Sequence, residues 1–318
     1  MIPDSVGEWQ VTCEVDHHSL MGMNGLFRVH KNDEFVLEKL EGTIRTYFIA
    51  AEETMWDYGP SGKNGWTGIA FENDMMSKRM MVNNIGRVYK KARYFEYTDS
   101  YFNQTKDRPK EWSHLGILGP VIRAEVGDTI EVYFKNNLKF DTSLFPHGLR
   151  VEKSEEGAEY YDGTNRTGSV KPGETRKYTW YVPSRSGPSS KDTSSVSWVY
   201  HSEVDHVAQT NAGLIGVIIV TEKGKSTNNF ELKPIDVDRE LVCLLTVFDE
   251  NRSPYLDENI IRVFGSLSKV NKSLHAFYHS NLMHAINGFC FSNTEGLTVR
   301  QGERVRWYQV GMGSRNDM

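Results

Sequence analysis

Apolar residues in this chain occur in short runs separated by turn-forming residues. From residue 43 onward the runs are rich in β-branched and aromatic side chains, with Gly, Pro and Asn between them. None carries an apolar stripe with the 3.6-residue period over the length of a helix. This pattern predicts an antiparallel β-sandwich. The predicted strands are Arg45–Ala51, Val88–Tyr97, Thr129–Phe134, Arg176–Val182, Ser197–Tyr200, Leu214–Thr221 and Leu241–Phe248.

The first 30 residues have the pattern of a strand, a loop and a second strand. The stretch Gly7–Met23, GEWQVTCEVDHHSLMGM, places Cys13, His18 and Met23 around one turn. A thiolate, an imidazole and a thioether are three of the four ligands of a blue, or type 1, copper centre, which needs a second His. We therefore predict Cys13, His18 and Met23 as metal ligands. The alternative is a structural Cys beside two surface histidines.

Part of this stretch is repeated later in the chain. Glu14–His17 reads EVDH, and the same four letters recur at Glu203–His206. In this register Ser202 takes the place of Cys13, so the second copy lacks the metal-binding thiolate. The repeat therefore predicts two related domains, of which one binds a metal ion.

A second, looser repeat relates Glu125–Tyr133 to Arg300–Tyr308. Repeats this far apart are too long for a solenoid and fit whole domains in tandem. The polar connector Glu222–Val237 is a plausible boundary, because a new apolar strand begins soon after it. A chain of 318 residues has room for two domains.

Charge and apolar patterning exclude several classes of protein. The net charge is −5, from 37 basic and 42 acidic residues that are well mixed along the chain. No basic patch predicts nucleic-acid binding. The longest apolar runs are the length of strands and far short of a membrane span.

The cysteines and glycosylation sequons indicate the cellular compartment. Three cysteines are too few for a disulfide scaffold. Cys243 and Cys290 are interpreted as small apolar fillers. Sequons of the N-x-Ser/Thr type fit a secreted glycoprotein; they begin at Asn103, Asn165, Asn251 and Asn271.

A second metal site is conceivable near His201. If its strand continued, His201, Glu203 and Asp205 would lie on one face, and His147 could approach them. Such a group could bind a hard metal ion. The alternatives are a solvated loop and, for His147 alone, a buried histidine with satisfied hydrogen bonds.

Several motifs together resemble the ceruloplasmin–hephaestin family of multicopper ferroxidases, along nearly the whole chain. They are GEWQVTCEVDHHSLMGM, YFIAAEETMWDYGPSG, HLGILGPVIRAEVGD, SEEGAEYYDGT, GLIGVIIV, VFDEN and MHAINGF. The resemblance implies tandem cupredoxin-like Greek-key β-sandwiches. It places residues 1–30 at the end of a type 1 copper domain, 43–222 as a complete copper-free domain and 236–318 as the first half of a further one.

The resemblance also implies ligand roles. Cys13, His18 and Met23 match the type 1 Cys, His and axial Met of the family. The second His of that site is expected before Met1, and the run that ends at Met318 leads into the equivalent His of the next domain. No type 1 site would then be complete within the 318 residues.

Departures from the family pattern concern the trinuclear copper cluster. Thr12 and Glu14 flank Cys13 where a cluster-bearing domain has histidines. His147 and His201 each retain one His of a His-x-His pair. We therefore expect the cluster outside this segment and assign no catalytic residue within it.

Other replacements concern the iron site and a disulfide of the family. His17 and Arg315 stand where the family has iron-binding carboxylates. Ser195 and Thr221 stand where it has the two cysteines of a disulfide. Neither iron binding nor that disulfide is therefore expected in this segment.

The function that the resemblance implies is that of a secreted or membrane-anchored multicopper oxidase involved in iron transport. Fe(II), or another small reductant, would be oxidised at type 1 copper, and dioxygen would be reduced to water elsewhere. Expected partners are these substrates and neighbouring cupredoxin domains, with any membrane anchor outside the segment. Two alternatives stay open: a non-enzymatic scaffold like the A domains of clotting factors V and VIII, and a copper-binding extracellular matrix protein.

Overall fold

Strands dominate the regular structure of the protein. The computed structural model describes residues 2–13, 18, 21–81, 84–158, 160, 168–227 and 231–312. The strands are β1 (Gly7–Thr12), β2 (Asn24–Val29), β3 (Ile44–Asp57), β4 (Val88–Tyr97), β5 (Ile122–Glu125), β6 (Thr129–Asn136), β7 (Phe145–Pro146), β8 (Thr175–Tyr181), β9 (Ser195–His201), β10 (Ile215–Thr221), β11 (Arg239–Asp249), β12 (Leu282–Ile286) and β13 (Val305–Gly311). This confirms the predicted all-β class.

Helices are short and lie in the connections. The α-helices are α1 (Lys78–Met81), α2 (His206–Ala212), α3 (Leu256–Phe264) and α4 (His275–Ser280), and the 3-10 helices are Lys110–Leu115, Lys153–Glu155, Ser184–Ser186 and Leu267–Lys269. No helix in the described ranges combines the length and the apolar character that crossing a membrane requires.

Two four-stranded sheets form the central sandwich. Sheet I has the order β4-β3-β6-β8, and sheet II has the order β5-β10-β9-β7. The chain passes repeatedly from one sheet to the other, as in a Greek key. In β6 the side chains alternate, and Ile130, Val132 and Phe134 are buried in the core between the sheets. Every second side chain of this strand therefore points into the core.

A third sheet, with the order β12-β11-β13, contacts the outer face of sheet II. Strand β10 lies between the two cores and is buried along its whole length. Its Ile218 and Val220 face the sandwich core, while Val217 and Ile219 belong to the second core with Leu244 of β11. Burial on both faces explains why this strand is an unbroken apolar run.

The third sheet repeats the strand pairing of sheet I. Strand β3 pairs antiparallel with β4 and parallel with β6, and β11 pairs antiparallel with β12 and parallel with β13. Strands β6 and β13 also contain most of the apolar residues of the looser sequence repeat. Sequence and pairing therefore repeat together.

The segment Leu115–Pro120 leads from sheet I to sheet II and also contacts the third sheet. The backbone N–H of Ile117 donates to the carbonyl of Asn287 at 3.0 Å. Gly116 has φ +52°, and a Cβ atom added there would lie 2.1 Å from the same carbonyl oxygen. Close backbone approach explains the glycine.

Two local features differ from the sequence prediction. The strand predicted over Arg45–Ala51 is longer in the structure, because β3 pairs with β4 as far as Asp57 and Val88. The nine-residue helix α3 was not predicted, because it is short. It buries Leu256 and Ile260.

Ser195 and Thr221, the two positions that the resemblance aligned with disulfide cysteines, face each other. They are directly paired across β9 and β10, and both are buried. The Ser195 hydroxyl is hydrogen-bonded to the Tyr308 hydroxyl at 2.6 Å. The Ser195 hydroxyl thus connects the sandwich to the third sheet.

Candidate metal centre

The hairpin β1–β2 positions the predicted copper ligands. Its last strand pair is Thr12 with Asn24, so Cys13 and Met23 follow directly at its tip. The backbone N–H of Cys13 donates to the carbonyl of Met23 at 3.1 Å, and the N–H of Met23 donates to the carbonyl of His18 at 2.9 Å. Backbone hydrogen bonds therefore link all three predicted ligands.

Cys13 and His18 bring their ligand atoms together. The Sγ atom of Cys13 lies 3.6 Å from Nδ1 of His18, and Cys13 is a free, half-buried thiol. Metal–sulfur bonds of about 2.3 Å and metal–nitrogen bonds of about 2.0–2.1 Å, at an angle of about 110–120°, separate S and N by about 3.5–3.8 Å. The two side chains therefore fit one metal ion without rearrangement.

Met23 is held through its backbone. Its side chain is at the exposed rim of the hairpin, since the residue is 57% exposed. A weak axial thioether needs only a long bond to copper. The structure therefore places Met23 at the site, while the approach of its sulfur to a metal ion stays a prediction.

The hairpin is fastened to the central sandwich. Trp9 packs against the sandwich core, and Lys153 Nζ lies 5.1 Å from the centre of its ring. The N–H of Gln10 donates to Oε1 of the buried Glu156 at 3.3 Å. Sequence analysis missed these contacts, because they join residues far apart in the chain.

Some predicted residues lie outside the described ranges. They are Glu14 and His17 near the candidate ligands, Arg315 within residues 313–318, and the sequon residue Asn165.

Three of the four residues of the second predicted metal site lie together in the structure. The ligand atoms of His147, His201 and Glu203 all lie within 4.8 Å of one another. His201 is fully buried, so a solvated loop is not observed there. Asp205 does not join them, because β9 ends at His201 and the Asp205 carboxylate caps α2, accepting from the N–H of Ala208 at 2.9 Å.

The two remaining cysteines have no polar role among the described residues. Cys243 and Cys290 are buried free thiols. Burial raises the pKa of Cys290 to about 12, so this thiol stays protonated at neutral pH. Both environments agree with the interpretation of apolar fillers.

Comparison with known proteins finds similar multicopper oxidases. The multicopper oxidase family model matches residues 102–225. The chain is 40% identical to ferroxidase HEPHL1, 40% identical to hephaestin and 37% identical to ceruloplasmin, all of Homo sapiens. Along its whole length the chain is similar to a segment of the hephaestin- and ceruloplasmin-like multicopper oxidases. Each alignment covers 100% of this chain, but the chain spans only 28%, 28% and 29% of these relatives.

The multicopper oxidase match also confirms the cupredoxin-like fold class. It begins after β4 and ends after β10, so it includes all of sheet II and strands β6 and β8 of sheet I. The hairpin with Cys13 lies before the matched residues, so the proposal for its copper rests on the local geometry described above.

Proposed function

We propose that this hephaestin-like chain is part of a ferroxidase-like multicopper oxidase in which Cys13, His18 and Met23 hold a type 1 copper. The observation that carries the proposal is the 3.6 Å separation of Cys13 Sγ and His18 Nδ1. The names of the relatives add the expected chemistry, since HEPHL1 is called a ferroxidase.

Each ligand has a separate role. When bound, copper would accept one electron from a reductant such as Fe(II). The Cys13 thiolate would hold the copper ion and carry the electron to or from it, His18 would supply an imidazole nitrogen, and Met23 would supply a thioether sulfur. A second histidine, which the family resemblance places before Met1, would complete the ligand set. Dioxygen reduction would take place at copper ions held by other parts of the protein.

The domain arrangement belongs to the same proposal. Residues 1–30 complete a copper-bearing domain, 43–222 form a copper-free one, and 236–318 begin a third. The repeated strand pairing of sheet I and the third sheet supports this division. Neighbouring domains of the same protein are its main partners.

The proposed location is extracellular, either secreted or at the outer face of the plasma membrane. Sequon residues Asn103 and Asn271 are exposed, as glycosylation requires. Burial of either asparagine would have argued against an extracellular location.

An anaerobic titration with Fe(II) tests the function. Copper-loaded protein, with imidazole added to supply the second nitrogen ligand, should show a visible thiolate-to-copper charge-transfer band. Each Fe(II) added should bleach the band and yield one Fe(III) per copper reduced. A band that Fe(II) leaves unchanged would favour a copper-binding matrix protein. Failure to bind copper at all would favour the scaffold function.

A further inference from the structure

The cluster of His147, His201 and Glu203 lies on sheet II, apart from the hairpin ligands. His147 follows β7, and its backbone N–H donates to the carbonyl of Val199 in β9 at 2.8 Å. His201 is the last residue of β9 and pairs with Phe145 of β7. Two paired strands therefore aim both imidazoles at the same point, with their Nε2 atoms 2.7 Å apart.

The proton on His201 can be assigned from its neighbour. Its Nδ1 lies 3.0 Å from the carbonyl oxygen of Ser202. A carbonyl only accepts, so Nδ1 carries the proton, and Nε2 of the neutral ring has a lone pair that points to His147. A carbonyl partner of this kind is the usual support for a metal-binding imidazole.

Glu203 supplies a carboxylate at the same point. Its Oε1 lies 3.5 Å from His147 Nε2 and 3.7 Å from His201 Nε2. The backbone N–H of Glu203 donates to Ser143 Oγ at 2.9 Å, which fixes the loop.

The spacing suits one small ion. Zinc bonds of about 2.0–2.2 Å to nitrogen and oxygen in a tetrahedron separate the ligand atoms by about 3.3–3.5 Å. The distance of 3.5 Å from Glu203 to His147 already matches, and the distance of 3.7 Å to His201 is slightly longer. The two Nε2 atoms, now 2.7 Å apart, must separate by about 0.6–0.8 Å. His147 has 32% of its side chain exposed, whereas His201 is fully enclosed. An ion can enter beside His147 and keep a water ligand there.

We propose that His147, His201 and Glu203 bind a single divalent transition-metal ion of the Zn²⁺ class. Two imidazoles disfavour Ca²⁺ and Mg²⁺, which prefer oxygen ligands. Three protein ligands support one ion, with one position left open. The ion replaces the proton that the two Nε2 atoms otherwise share. The inference does not depend on the copper function proposed above.

Calorimetric titration of the metal-free protein with Zn²⁺ tests this site. The measurement uses the Cys13→Ser chain, so that the hairpin thiolate contributes no binding. We expect one Zn²⁺ per chain. His147→Ala and Glu203→Gln should each weaken binding by at least the ~10–100-fold typical of losing a supporting group. A second readout is the Zn²⁺-induced rise in melting temperature, measured for each variant against its own metal-free form.

An exposed histidine pair on α4 provides the control. The rings of His275 and His279 are tilted against each other with centroids 4.0 Å apart, and both residues are exposed. His275→Ala should leave Zn²⁺ affinity and the induced stabilisation unchanged. Zn²⁺ binding that survives His147→Ala and Glu203→Gln, or that is lost in His275→Ala, would overturn the assignment.

Discussion

Lys91 and Glu250 form an ion pair in which neither side chain has any solvent exposure. Lys91 lies on β4 of the sandwich, and Glu250 directly follows β11 of the third sheet. The Lys91 ammonium also donates to the carbonyl of Asn211 at 2.7 Å, and the Tyr58 hydroxyl donates to Glu250 at 2.5 Å. Burial lowers the pKa of Lys91 and raises that of Glu250. Each of these two buried charges is therefore stabilised by the other, at the junction between the sandwich and the third sheet.

Removing one partner of this pair should destabilise the protein strongly. Glu250→Gln leaves the Lys91 charge buried without a counter-ion, which costs about 3–5 kcal/mol of the free energy of unfolding. Urea denaturation measures this. As a control, Asp257→Asn breaks the exposed pair with Lys272 and should cost less than about 1 kcal/mol. Equal losses in the free energy of unfolding would show that the buried pair stabilises the protein no more than the exposed pair does.

Acid should weaken the same junction through His114. This buried imidazole donates from Nδ1 to the Glu111 carbonyl at 3.0 Å and accepts at Nε2 from the N–H of Val242 at 3.1 Å. Burial is the main cause that lowers the pKa of His114 to about 4. Protonation would place an N–H against the N–H of β11.

The sign of the pH effect follows from this lowered pKa. In the unfolded chain a histidine has a pKa of about 6.5, so between about pH 6.5 and 4 the unfolded state binds more protons. Stability is therefore complete above pH 6.5 and falls as the pH drops, by about 2–3 kcal/mol at pH 4.5. Denaturation at pH 7.5 and 4.5 should show this loss in the native chain. His114→Gln retains a hydrogen-bond acceptor for the N–H of Val242 but cannot be protonated in this range. Its loss of stability between pH 7.5 and 4.5 should be smaller than that of the native chain by about 2–3 kcal/mol. An identical loss in both proteins would show that His114 does not cause the pH dependence.

The glycine in the sheet crossing provides a steric test. Gly116→Ala would place a methyl group 2.1 Å from the Asn287 carbonyl oxygen. Gly224 has a similar positive φ, +75°, but open space around it. Gly224→Ala should cost about 1–2 kcal/mol of backbone strain. Gly116→Ala should cost at least ~1–3 kcal/mol more, because its backbone (φ +52°, ψ −118°) lies outside the left-handed helical region and its methyl group would clash. Thermal unfolding compares the two variants; similar values would mean that the crossing segment moves freely away from the third sheet.

Glycosylation should distinguish the sequons. Asn103 and Asn271 are exposed, whereas the Asn251 amide donates to the Asp249 carboxylate at 2.8 Å and to the Tyr278 carbonyl at 2.9 Å. We expect glycans on Asn103 and Asn271 and none on Asn251. Mass spectrometry of peptides from protein secreted by mammalian cells tests this. A glycan on Asn251 would contradict the local structure.

Local patterns predicted the strands because alternating or continuous apolar runs reflect burial on one or both faces. The run in β10 is an example, since both of its faces are covered. Loop spacing likewise suggested Cys13 and His18, which lie together. Asp205 was misplaced, because the alternation argument assumed a strand where the chain turns into α2. The Lys91–Glu250 pair lies beyond such reasoning, because its partners are 159 residues apart.

The most direct test of the proposed copper site compares Cys13→Ser with the native chain. Each is titrated with Cu²⁺ in the presence of imidazole, and Cys243→Ala serves as a control for loss of a thiol outside the site. We expect a strong thiolate-to-copper absorption band in the native chain and in Cys243→Ala. The band should be absent in Cys13→Ser. An unchanged band and copper content in Cys13→Ser would contradict the assignment of Cys13, His18 and Met23 as ligands.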